Sequence, residues 1–171
     1  MPTVTDFRTL PLSLAAIDNC AKFVGKKSYW KLYAIENIFR ILIHSVLSAQ
    51  FGATWWTTAT DQNIQRRTQN SQNRYINRPW HTQPGTHDIY HSNLSDLSEI
   101  MRVNSQIFYP ILPDVDQWIV RIQQVLLPRN IIGHMNCPNA VDRQRIDVLY
   151  SDCRALIAHL QRTNLQLVIP N

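Results

Sequence analysis

The chain has 171 residues, a formal net charge of +5 with pI near 9.4, and a hydrophobic fraction of 44%. That length can bury one self-sufficient core, so a single domain over residues 1–171 is expected. With only 4 glycines, tight turns that need positive φ must be few, which favours an all-α helical bundle over a sandwich or barrel.

The basic excess is mainly arginine, which fits a polyanionic partner and equally fits a plain need for solubility. Cys20, Cys137 and Cys153 are widely spaced, with no C-x-x-C pair, and read as buried thiols in a reducing compartment. Met1 to Asp6 lacks a basic and apolar leader, and the apolar stretch around Ile38 to Phe51 is interrupted by Arg40, His44 and Gln50. A cytoplasmic protein with no membrane segment is therefore expected.

In chain order, Pro11 to about Val24 carries Leu12, Leu14, Ile17, Ala21 and Phe23 at spacings of an amphipathic helix, followed by a Lys26-Lys27-Ser28 connector. Tyr29 to about Phe51 has the broadest apolar face, and Gly52 supplies its stop. Glu36, Arg40 and His44, four apart, share one stripe of that helix, as an ion-paired face or as lining of a cleft. Trp55-Trp56 opens a polar segment, about 57–93, that is helical to about Arg74 and loop beyond. Arg66, Arg67, Arg74 and Arg78 interleave there with Tyr75 and Trp80, supplying cations for phosphates and rings for bases; a solvated loop gives the same pattern. His81, His87 and His91 lie around Asp88, but Pro84 and Gly85 argue for loop, so no metal or other cofactor is expected.

Ser95 is the candidate N-cap of a short helix to Val103, and a further apolar piece covers Gln106 to Leu112. Asp114 to about Gly133 is a helix that Pro128 should kink or open. Pro138, in the first turn, opens a last helix to about Thr163, and Leu165 to Asn171 is a tail. Five or six helices with a core over about 11–163 result.

The run Arg129-Asn130-Ile131-Ile132-Gly133-His134 puts three polar side chains at the end of an apolar helix. Positions five apart diverge by about 140° on a regular helix, so Arg129 and His134 align only where the helix distorts or ends. The chemistry suits RNA cleavage: a histidine titrating near neutrality moves the proton of the 2′-hydroxyl or the 5′-oxygen, and an arginine holds the phosphate. Asn130 can orient either group. The same spacing recurs at Arg154 and His159, inside the last helix and with no polar residue after its arginine.

The segment around Arg129 resembles the HEPN superfamily, helical bundles with many ribonucleases, in which Arg, a polar residue, three variable positions and His close the helix before the last. Ala34 to Ile43, then Phe51 to Trp56, is similar to the opening long helix of some branches, and Trp118 fits the same layout. The resemblance implies a metal-independent endoribonuclease that leaves 2′,3′-cyclic phosphate. Arg129, His134 and Asn130 would act in a composite site across a homodimer, in a toxin-antitoxin, antiphage or RNA-processing setting with a cognate antitoxin. It also allows a non-catalytic module that holds RNA, a nucleotide or a protein.

Overall fold

The computed structural model describes residues 4–163 and 166–171. Met1 to Thr3 of the expected N-terminus and Leu165 of the expected tail lie outside them. Among the described residues all regular structure is helical, with α-helices α1 (Leu14–Val24), α2 (Trp30–Phe51), α3 (Trp55–Ala59), α4 (Gln62–Ile76), α5 (Leu94–Val103), α6 (Ser105–Phe108), α7 (Val115–Gly133) and α8 (Ala140–Arg162).

The centre of the fold is α2, whose Ile35, Phe39, Leu42, Ile43, Val46 and Leu47 are buried as the apolar spacing requires. Against it pack α5 and α8, and α7 packs on both of these, closing one core with Leu97, Met101, Trp118, Ile122, Ile146 and Leu149. Trp118 meets Phe39 edge-on at 6.2 Å, and its indole N–H donates to Asp114 in the turn that starts α7. The run Leu14–Ala59 is long and apolar enough to cross a membrane by composition, yet its apolar side is what this core buries.

Several boundaries differ from the sequence reading. Lys26-Lys27-Ser28 is no open connector: Gly25–Tyr29 forms a π-helical turn that fuses α1 to α2, with Gly25 at ordinary right-handed φ and Ser28 buried. Trp55 and Trp56, at the head of the polar segment, fill the core, 0% and 6% exposed. The N-cap of α5 is Asn93, not Ser95; its side chain accepts from Ser95 N and Asp96 N while Asp96 accepts from Asn93 N, a reciprocal capping box. Pro138 precedes α8, which Asn139 caps. Pro128 is buried inside α7, which runs through it as one helix from Val115 to Gly133 without opening.

Between α4 and α5 a loop returns over α2 and ends in a short 3₁₀ turn, Asp88–His91. A β-carbon on Gly85 would lie 2.3 Å from the Tyr90 ring, so only glycine lets the loop cross that face. Of the residues past α8, Val168 and Pro170 dock on the fold. Val168 N–H donates to Ser45 Oγ at 2.7 Å, Ser45 Oγ donates to the Val168 carbonyl, and the Tyr90 hydroxyl donates to the Pro170 carbonyl.

Candidate functional site

Helix α7 ends in a Schellman turn: Met135 N–H reaches the Ile132 carbonyl and Asn136 N–H the Ile131 carbonyl, each at 2.9 Å. The left-handed position of that motif, normally glycine, is held by Met135 at φ 59°. Gly133, where a break was expected, lies within the last helical turn, and His134 is the C-cap, with an exposed side chain. A non-glycine residue in left-handed conformation is local strain, and here it adjoins the histidine.

Four residues before Gly133, the half-buried Arg129 turns its guanidinium along the helix toward that end, Nη1 lying 3.7 Å from where a Gly133 β-carbon would be. Its Nη2 pairs with Glu36 Oε1 of α2 at 3.4 Å. Arg40, one turn along α2, donates to the Ser92 carbonyl at 2.9 Å and to Asn37 Oδ1, while its Nε is buried without a partner. Burial lowers the pKa of Arg40, Glu36 opposes that shift, and Arg129 adds repulsion. Guanidinium basicity leaves it charged all the same.

Asn130 is exposed beside Arg129, and both line a cavity of about 180 Å³ with Leu126 and the first turn of α5, Asn93, Leu94 and Ser95. Sequence reasoning missed this last contribution because it placed the cap two residues late; the Asn93/Asp96 spacing was the available signal.

The structure thus gathers Arg129, Asn130, Glu36 and Arg40, and sets His134 at the same end of α7 as its exposed C-cap. His44 does not join them. Its Nδ1 accepts from Trp55 Nε1 at 3.0 Å, and its ring lies 4.9 Å from that of His87, which stacks on Trp55. This pocket of rings anchors the returning loop on α2. The loop histidines go to separate partners: His87 Nδ1 accepts from Ile89 N, His91 faces Ser71, and His81 lies against Trp80. No group of three potential metal ligands occurs among the described residues.

Of the candidate RNA contacts, Arg67 is committed to the buried Asp96 of α5. Arg66 and Arg74 line the exposed side of α4, with Arg78 in the turn after it donating to the Arg74 carbonyl, and Trp80 is 76% exposed. The second Arg-His spacing falls elsewhere, with Arg154 over the Tyr150 ring and His159 in a cleft shared with Trp118 and Arg121. No protein-family model, curated protein or solved structure compared with this chain matches it.

Proposed function

We propose that this chain is a metal-independent endoribonuclease of HEPN type. The observation that carries the reading is the end of α7: an exposed His134, held by a strained Schellman turn, follows an Arg129 whose guanidinium lies along the last helical turn beside Gly133 and pairs with Glu36. Arg129 and Asn130 grip the scissile phosphate over the cavity at the first turn of α5. The 2′-hydroxyl loses its proton to a histidine and attacks phosphorus; the 5′-oxygen leaves with a proton returned to it, and a 2′,3′-cyclic phosphate remains. A homodimer pairing two α7 ends supplies the second Arg-His set of one composite site. A cytoplasmic toxin or defence effector, held by a cognate antitoxin, is the setting this reading implies.

The test is incubation of the purified protein with total RNA in excess EDTA, with Arg129→Ala and His134→Ala alongside. Cleavage by the parent protein, with cyclic phosphate ends, should fall by roughly a hundredfold or more in each variant. Equal cutting by all three marks a contaminant and refutes the assignment.

One observation favours a second reading, a non-catalytic RNA- or nucleotide-binding module. Arg129 already has a carboxylate partner in Glu36, as a structural arginine would. In that case RNA binding is salt-sensitive, His134→Ala leaves it unchanged, and no fragments form.

A further inference from the structure

Cys20 and Cys137 are far apart in sequence and meet in space. Cys20 sits on the inner side of α1, 3% exposed, and Cys137 is half-buried in the connection between α7 and α8. Both line one open, largely apolar cavity of about 460 Å³, walled also by Ile17, Val24, Tyr29 and Met135. Both thiols are free and face this same cavity. Cys153, by contrast, is fully buried in α8 and shares no cavity with them.

We propose that Cys20 and Cys137 are a modification site: a pair that a small disulfide such as oxidised glutathione converts to an intrachain cross-link, pinning α1 to the turn that follows His134. The cavity mouth exposes Cys137 first. Its thiolate attacks one sulfur of glutathione disulfide and expels one glutathione thiolate. The Cys20 sulfur, having lost its proton, then attacks the Cys137 sulfur and expels the second glutathione. Two protein thiols and one glutathione disulfide thus become one protein disulfide and two reduced glutathiones.

Two consequences follow from the surroundings. Burial, together with the Cys20 thiol beside it, pushes the Cys137 thiol up to about 12, so the reactive thiolate is scarce at neutral pH. Cross-linking is therefore slow at neutrality and speeds up about tenfold per pH unit while the pH stays below that value. The bond also closes a loop spanning most of the chain, so the oxidised form should melt roughly 10 °C higher than the reduced one.

The experiment treats the reduced full chain with oxidised glutathione at about pH 7, 8 and 9, blocks remaining thiols with a maleimide, and maps peptides without reduction. A Cys20–Cys137 peptide pair, the expected pH trend and a raised melting temperature are the supporting outcome. They should vanish in Cys137→Ala and in Cys20→Ala, and persist in Cys153→Ala. A glutathione adduct on Cys137 that never resolves, a link through Cys153, or no reaction at about pH 9 would overturn the proposal. None of these outcomes depends on whether the chain cleaves RNA.

Discussion

Met135 is the residue whose conformation costs most for what its side chain returns, being 85% exposed yet held at φ 59°. Met135→Gly should therefore stabilise the fold by about 0.5–1 kcal/mol, since glycine takes the left-handed region freely and little burial is lost. Urea midpoints measure this, and an unchanged midpoint would mean that the turn is not strained. A second residue-scale expectation concerns His44, His87 and His91. Burial lowers all three, His44 lowers His87 further, and Asp88 partly opposes the shift at His87 and His91. With folded values below the ordinary 6.5, the unfolded chain binds more protons as the medium acidifies. The stability from these rings is fully present above that value and drains as pH falls below it toward the depressed ones. Melting temperature should thus drop between about pH 7 and 5.5, and His44→Gln, which keeps an acceptor for Trp55 Nε1, should flatten the slope.

At the scale of elements, α2, α7 and α8 were legible because each repeats apolar residues at helical spacing over many turns, and burial rewards that pattern in any bundle. What failed were the joints. Lys26-Lys27-Ser28 reads as a polar linker, but a helix can pass through such residues when both flanks are already helical and Ser28 finds a buried place. Trp55-Trp56 stands where the sequence turns hydrophilic, and spacing there does not say that the indoles turn inward onto His44 and His87. The same limit governed the site. Arg129, Asn130 and His134 were visible as a polar cluster ending α7, whereas the approach of Glu36 and Arg40 depends on how α2 crosses α7, which spacing on α2 alone does not reveal. His44, on the same stripe, faces another cluster for that reason. The capping box of α5 offers a direct check: Asn93→Ala should cost about 1 kcal/mol and loosen the first turn beside Arg129. Thermal melts read the first effect, and amide exchange at Leu94 to Leu97 the second.

Across the whole molecule, the arginines divide into those that hold the fold together and those left to solvent. Arg67 pairs with buried Asp96 and Arg40 is locked to Ser92, so their removal should lower the melting temperature. Arg66, Arg74 and Arg78 lie exposed around α4, near Trp80. If that face holds RNA, Arg74→Ala and Arg78→Ala should each weaken binding and reduce the slope of log affinity against log salt by about 1, with the fold intact. Equal slopes in parent and variants would remove α4 from the interface.

The π turn at Gly25–Tyr29 sets a rotational phase between two parts of the molecule that make few other contacts. Its wide ring holds one residue more than an α-helical turn, and each residue advances a helix by about 100°. Dropping one residue from the turn would leave a continuous helix but swing α1 about its axis, carrying Cys20 out of the cavity it shares with Cys137 and Phe23 off the Arg143 guanidinium that covers it. Spacing is therefore under tighter constraint here than identity. Lys26, whose carbonyl and not its side chain receives the Trp30 indole, can change freely, while the number of residues between Val24 and Trp30 cannot.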